Sequence, residues 1–344
     1  MSGRTAVVLF NLGGPDSPEA VEPFLFNLFS DPAIIRLPQP FRWLIARTIS
    51  RRRAPVAAAI YAELGGSSPL LANTERQATA LAAELGGGFK VFVAMRYWHP
   101  RVPETISKVI AWQPDRVILL PLYPQLSTTT TGSSVVEWRA AAKQLKLTAP
   151  ETLVCCYPEE PGFVAAVAER LREAFGRLAD PTGPRRVLFS AHGLPERVVA
   201  AGDPYQWQVQ ATCAAIATRL GASWDWRICY QSRVGPLKWI GPSTPEAITD
   251  AAGDRLGVLI DPVAFVSEHI ETLVELDLEY AELALRVGAP VYLRAPVVGV
   301  LEPFIEGAAD AVERALGHSK VCPDGAACPE RYSRCGRRPR ETPR

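Results

Sequence analysis

The residues of this sequence that could do chemistry fall into a few groups. His192 follows an apolar run, Val187-Leu188-Phe189-Ser190-Ala191, with Gly193 and Pro195 fixing the turn beyond it. A neutral imidazole at a strand end could accept a proton or bind a borderline metal ion near neutral pH. A structural histidine bonded to a backbone carbonyl is the competing reading. Glu271, Glu275 and Glu279 recur at four-residue spacing in EHIETLVELDLEY, so a helix stacks them on one face, with Glu268 and His269 one turn earlier. Charge stripes are usually just solvated, but no basic residue within this segment neutralises the stack. Carboxylates in line could carry a divalent cation or relay protons, because each charge raises its neighbours' proton affinity.

A third group is Cys322-x5-Cys328-x6-Cys335, in a tail bearing Pro323, Gly325, Pro329 and Gly336. Zinc usually takes CxxC pairs, which are absent. A [2Fe–2S] cluster needs four thiolates, so a fourth would come from elsewhere. Cys155 and Cys156 are adjacent on an expected strand, where only one can face a given side. Unrelated cysteines in a loose tail remain the alternative. Residues 24–45 crowd Phe24, Phe26, Phe29, Ile34, Ile35, Phe41, Trp43 and Leu44 between prolines, with Arg47 and Arg51-Arg52-Arg53 just beyond. The prolines argue against a regular buried element, and apolar projections beside a basic cluster suit anionic lipid or a large apolar ligand. Gly13-Gly14-Pro15 lacks both the GxGxxG spacing and the Gly-Lys-Ser/Thr ending, so it reads as a tight turn or a close backbone approach. Ser127–Ser134 is a polar loop leading into a helix near Val135, partly explained by capping.

These groups need positioning elements, and the chain supplies them by alternation. Thr5–Leu12, Lys90–Arg96, Arg116–Pro121 and Thr152–Cys156 read as buried strands, as do Arg186–Ala191, Trp226–Tyr230, Leu256–Asp261 and Pro290–Leu293. Helical stretches such as Ser68–Leu85, Pro161–Arg177, Tyr205–Leu220 and Ser267–Arg286 lie between them. The pattern predicts α/β architecture: two Rossmann-like, doubly wound domains, each a four-stranded parallel sheet flanked by helices. The expected units are 1–158, 159–300 and a C-terminal helix and tail, 301–344, whose helix (about 301–316) packs back on the first domain. In open α/β sheets chemistry collects beyond the carboxyl ends of strands, which is where His192 and the loops after Asn11, Arg96, Tyr230 and Asp261 fall.

Composition bounds the class. The 344 residues are 48% hydrophobic and 21% charged, enough for two packed domains and too apolar for whole-chain disorder. Lys plus Arg number 37 against 36 Asp plus Glu, so no overall field would draw in nucleic acid. No apolar run approaches the roughly 18–20 residues of a membrane span. The opening MSGRTAVVLFNLGGP is unlike a secretory signal, and seven cysteines in a chain this size do not read as a disulfide framework. The expected location is cytoplasmic, at most peripheral to the inner face of a membrane.

Several segments, in order, resemble ferrochelatase: LFNLGGP, Tyr61–Pro69 (YxxxGGSSP), Met95–Pro100 (MRYWHP), LYPQ…STTTTGSS, FSAHGLP, ICYQSRVGPLKWIGP and PVAFVSEHIETLVELDLEY. They cover the chain from about residue 5 to 315. The resemblance implies insertion of ferrous iron, as substrate, into protoporphyrin IX, with the porphyrin cleft between two Rossmann-like domains. It implies that His192 takes pyrrole protons or contacts the metal, with Glu271 opposite it across the porphyrin. Glu275 and Glu279 would form an acidic path behind Glu271 for protons or iron, with His269 beside it. Arg53, Tyr61, Ser68, Arg96 and Tyr97 would line the cleft, some reaching propionates. Leu12 and Trp239 would surround the macrocycle, with Tyr230 beside them. The stretch from Phe24 to Ile45 would be a lip that touches the bilayer.

In members that carry a [2Fe–2S] cluster, three C-terminal cysteines and one from mid-chain hold it. The resemblance puts these at Cys322, Cys328, Cys335 and Cys156. The expected partners are then protoporphyrin IX, ferrous iron, the membrane surface and, as a candidate, a second copy of the chain. A chelatase for another tetrapyrrole, such as coproporphyrin III, is the nearest alternative, and a non-enzymatic heme or iron–sulfur carrier is the more distant one.

Overall fold

The computed structural model describes residues 3–178, 183–222, 224–233, 235–322 and 328–336. Pro323, Gly325 and the end of the 301–344 segment lie outside them. The first half runs β1 (Thr5–Asn11), α1 (Val21–Phe29), α2 (Phe41–Ala62), α3 (Leu70–Leu85), β2 (Phe89–Met95), α4 (Val102–Trp112), β3 (Arg116–Pro121), α5 (Thr131–Gln144) and β4 (Glu151–Val154). The second runs α6 (Pro161–Gly176), β5 (Arg185–His192), α7 (Glu196–Ala200), α8 (Tyr205–Leu220), β6 (Trp226–Gln231), α9 (Thr244–Gly253), β7 (Gly257–Asp261), a π-helix (Glu271–Glu279), α10 (Tyr280–Arg286) and β8 (Tyr292–Arg294). The chain returns through α11 (Glu302–Arg314) and a two-residue β9 (Lys320–Val321).

Two parallel sheets result, in the orders β2-β1-β3-β4-β9 and β6-β5-β7-β8. Every residue of β1 and of β7 is buried, as expected for strands covered on both faces. Large apolar side chains such as Phe10 and Phe189 each stabilise the fold by about 1.5–3 kcal/mol when fully buried. One core cluster joins both sheets, bringing Val7 and Leu9 of β1 together with Phe189 of β5 and Leu259 of β7. The final helix, α11, packs on α3 and α6 and so ties the C-terminal segment to the first half.

The expected architecture is observed, with differences in detail. The first sheet has five strands, because β9 pairs with β4. Two residues carry no pattern a sequence reading could use. Residues 24–45 are more regular than their prolines suggest. Pro32, Pro38 and Pro40 fall in the link between α1 and α2, leaving both helices intact. The strand expected over Thr152–Cys156 ends at Val154, so strand alternation does not separate Cys155 from Cys156. His192 is the last residue of β5 rather than the first beyond it.

Candidate active site

Both sheets reverse direction of winding beside their first strand: between β1 and β3, and between β5 and β7. Crevices form at such switch points, outside the carboxyl ends of the strands. His192 ends β5, and the segment after β7 leads through His269 into the π-helix. The topology therefore brings together groups 79 positions apart in sequence, His192 and Glu271.

His192 Nδ1 lies 2.7 Å from the Gly193 carbonyl oxygen. A carbonyl only accepts, so Nδ1 carries the proton, and in the neutral ring the lone pair sits at Nε2. That Nε2 is 3.8 Å from Glu271 Oε1. His269 repeats the arrangement: Nδ1 is 3.1 Å from the Ser267 carbonyl, and Nε2 is 3.9 Å from Glu271 Oε2. One carboxylate thus stands between two imidazoles, each turned to it by a backbone carbonyl. The carbonyl contact expected of a structural histidine is made by Nδ1, and it leaves Nε2 facing Glu271. Gly193 permits the turn, since a Cβ there would come within 2.9 Å of the Gln231 carbonyl and 3.3 Å of the Trp239 ring.

The close pair corrects one expectation. A macrocycle between His192 and Glu271 would need a contact of about 3.5 Å on each face, roughly twice the separation seen. His192 and Glu271 stand side by side, with no room for a ring between them.

The acidic row is carried by a π-helix, not an α-helix, with backbone bonds running i to i+5, a form frequent at functional sites. Its second member is heavily restrained. Glu275 accepts from the Ser232 backbone N–H at 2.8 Å, the Tyr280 hydroxyl at 2.6 Å, Gln231 Nε2 at 3.1 Å and the Ser232 hydroxyl. Ser232 also donates to Glu271 at 3.3 Å and holds a left-handed backbone, φ 58°. That conformation is uncommon for a non-glycine residue. Glu279 is exposed at the far end, and burial followed by the charge of Glu275 raises its pKa. The basic neighbour that the local sequence did not show is Arg294, but it pairs with Glu268 and Asp277, leaving the row itself unneutralised.

The first half supplies the other wall. Leu12, Tyr61 and Tyr97 pack with Phe24, Phe29 and Ile270, the residue just before the π-helix. Burial, then the charge of Glu271, pushes the Tyr61 hydroxyl well above its ordinary range, which places Tyr61 within electrostatic reach of the row. Two polar residues on α3 fix the register between the halves. Asn73 donates to the Glu268 carbonyl at 2.8 Å, and Gln77 donates to the carbonyls of Val266 and Gly299 while accepting from Ser267. Ser68 sits against the Gly13-Gly14-Pro15 turn, its N–H bonded to the Pro15 carbonyl. Arg53 is exposed on α2, with its guanidinium over the Phe29 ring. Trp239 lies beside Gly193, and Tyr230 is buried at the end of β6.

Arg96, expected to line the cleft, is engaged by partners of its own half. Its guanidinium donates to Asp31 at 2.8 Å, Glu137 at 2.9 Å and Ser133 at 2.8 Å. Tyr97 donates to the same Asp31 oxygen at 2.7 Å and is 1% exposed. Asp31 is a buried hub that the sequence did not reveal; nothing distinguishes it from the other polar residues of its loop. The sequence does not single out Gln231, Ser232 or Tyr280, although the loop after Tyr230 falls at the carboxyl end of a strand, where chemistry is expected.

A second cluster lies at the ends of β4 and β9. Cys155, Cys156, Cys322, Cys328 and Cys335 are each 6% exposed or less. The sulfurs of Cys155 and Cys156 are 3.4 Å apart, and Cys156 is 3.8 Å from Cys322; these three all lie within 4.8 Å of one another. Gln208 on α8 donates to Cys156 at 3.3 Å and to Cys328 at 3.2 Å. Cys335 is hydrogen-bonded to Cys328. The hydrogen bonds that the Cys156 thiol makes with Cys155 and Cys322, then burial, hold it well above its usual pKa. Soft sulfur donors gathered in a dry pocket, with an amide aimed at two of them, fit an iron–sulfur group, and binding would release their protons.

A profile of the ferrochelatase family matches residues 4–316. The ferrochelatase of Caulobacter vibrioides (strain NA1000 / CB15N) is 54% identical over 97% of this chain and 98% of its own length. That of Phenylobacterium zucineum is 54% identical over 96% and 97%. Among solved structures, SirB from Bacillus subtilis with Fe3+ superposes with a TM-score of 0.54 at 10% identity, covering 91% of this chain and 96% of its own, a likeness of fold.

Proposed function

This chain belongs to the ferrochelatase family and inserts ferrous iron into a porphyrin for heme synthesis, and we propose how its own residues divide that work. Insertion must remove two pyrrole protons and turn the ring nitrogens toward an incoming cation. His192 Nε2 takes the protons, since Nδ1 is committed to the Gly193 carbonyl. Glu271 receives them between His192 and His269, and Glu275 and Glu279 carry them to the surface. The same imidazole–carboxylate pair are borderline and hard donors, able to touch the entering iron substrate. The observation that carries this reading is the 3.8 Å approach of His192 Nε2 to Glu271 Oε1 at the head of a row that ends exposed.

Leu12, Tyr61 and Trp239 hold the macrocycle, and packing complementary to a bent ring favours the transition state over the flat substrate. Ser68 and Arg53 meet the propionates. Arg96, Tyr97 and Tyr230 support the wall from behind. In this scheme 1–158 supplies the porphyrin wall, 159–300 supplies His192 and the acidic row, and 301–344 closes back on the first unit. The substrate is protoporphyrin IX, favoured over coproporphyrin III by the apolar lip; competition between the two porphyrins tests the choice. No helix among the described residues is long and apolar enough to cross a membrane. Phe41, Trp43 and Leu44 project at 62%, 45% and 58% exposure beside the arginines of α2, which suits peripheral docking on anionic lipid.

Cys156, Cys322, Cys328 and Cys335 hold a [2Fe–2S] cluster, a one-electron group outside the insertion chemistry. The deciding experiment on the active site is anaerobic quenching of porphyrin fluorescence by added ferrous iron. Wild type should quench quickly and His192→Ala should bind porphyrin without quenching; a near-normal rate in the variant would sink the assignment.

A further inference from the structure

A [2Fe–2S] cluster takes four thiolates, and this pocket contains five sulfurs. The extra one is not at the margin. Cys155 and Cys156 follow the end of β4, where the chain has left the strand and both side chains turn to the same side. Cys155 Sγ lies 3.4 Å from Cys156 Sγ and within 4.8 Å of Cys322 Sγ, inside the same three-sulfur group as its neighbour. The backbone holds it there: Cys155 N–H donates to the Val321 carbonyl at 2.9 Å, fixing Cys322 alongside. The tail closes directly over it, since a Cβ at Gly336, next to Cys335, would come within 2.8 Å of Cys155 Cβ.

We propose that Cys155 is an interchangeable ligand of this centre: either member of the Cys155–Cys156 pair completes the set with Cys322, Cys328 and Cys335, and the other waits beside it as a reserve thiol. The inference rests on the cluster reading given above. The exchange balances without an outside reagent. The iron–sulfur bond to Cys156 breaks, the bond to Cys155 forms, and the Cys155 proton crosses to Cys156 over the 3.4 Å sulfur–sulfur contact. No electron moves and the charge of the centre is unchanged. Gln208 sets the resting preference. Its amide donates to Cys156 at 3.3 Å and to Cys328 at 3.2 Å, an N–H···S contact each would keep as a cluster ligand, whereas Cys155 Sγ meets other sulfurs. Cys156 is therefore the resting ligand and Cys155 the substitute, so that loss of one thiol of the pair leaves the centre complete.

The test uses the full chain, purified anaerobically as wild type, Cys155→Ala, Cys156→Ala and the double variant. Iron, acid-labile sulfide and visible absorption are measured, with porphyrin binding on the same samples as a check of the fold. Wild type and Cys155→Ala should carry about two irons per chain with the same spectrum. Cys156→Ala should keep its iron and sulfide with displaced absorption bands, and the double variant should lose both. A folded Cys156→Ala protein without iron and sulfide overturns the inference and leaves the four-cysteine reading standing. A Cys156 variant that neither folds nor holds iron, beside a Cys155 variant that does both, overturns interchangeability equally. Wild type lacking iron and sulfide removes the cluster reading and the inference with it.

Discussion

The acidic row in the cleft and the thiol pocket at the ends of β4 and β9 both suit iron, yet they are built on opposite plans. The row offers imidazole and carboxylate, with His192 Nε2 and Glu271 Oε1 3.8 Å apart and exposure growing toward Glu279. The pocket offers sulfurs alone, buried, three of them within 4.8 Å of one another. Hard and borderline donors at loose spacing give an ion contacts it can leave. Soft donors packed together in a dry site, with Gln208 aimed at two of them, give contacts it keeps. On the cluster reading proposed above, the difference separates iron in transit from iron in residence, within one chain.

The largest expected effect breaks one region without the other. Glu271→Ala should slow insertion by about 10²- to 10⁴-fold, the usual worth of a positioned acid–base group. Porphyrin affinity and pocket iron should stay unchanged; a parallel loss of pocket iron, measured on the same protein, would merge the two regions. Arg96→Leu comes next. It strands the buried Asp31 carboxylate and should destabilise the fold by about 3–5 kcal/mol in urea titrations. If Arg96 instead bound propionates, porphyrin affinity would fall while stability held.

Asp261, at the end of β7, is a buried acid outside both regions, and its Oδ2 meets no hydrogen-bond partner among the described residues. Burial pushes its pKa up to about 8, against the pull of Arg294. An acid that holds its proton more tightly when folded loses stability as pH rises from its ordinary 3.8 to about 8. Asp261→Asn should flatten that slope and be more stable than wild type at pH 8 by up to a few kcal/mol. Unchanged urea midpoints between pH 5 and 8 would contradict it. The smallest effect falls on Glu279. Its raised pKa costs stability as pH climbs above the ordinary carboxylate range, so Glu279→Gln should be marginally more stable near neutrality. As the exposed end of the path it should slow turnover by less than about tenfold, at unchanged KM for porphyrin.

Much of this was legible because the sequence repeats local rules. Continuous apolar runs such as TAVVLFN and GVLID marked buried parallel strands, and strand order then placed His192 and the row at one crevice. The spacing of Glu271, Glu275 and Glu279 showed the stack but not its helix type, because a change from i+4 to i+5 bonding leaves no composition signal. Contacts between distant segments were also out of reach. Nothing near Arg96 announces Asp31 as its partner, and nothing near Glu275 announces Ser232. Strand alternation allowed only one of Cys155 and Cys156 on a given side, a sound rule applied past the strand's end at Val154, and the resemblance alone chose Cys156.

The claim that the cleft passes iron while the pocket keeps it has one direct test. Protein grown on natural-abundance iron is given ⁵⁷Fe²⁺ and protoporphyrin anaerobically, and the isotope is then measured in the extracted heme and in the protein. The account predicts ⁵⁷Fe in the heme and natural iron still in the protein's thiol pocket. Natural iron appearing in the heme, with ⁵⁷Fe refilling the pocket, would make the pocket a donor and contradict the division.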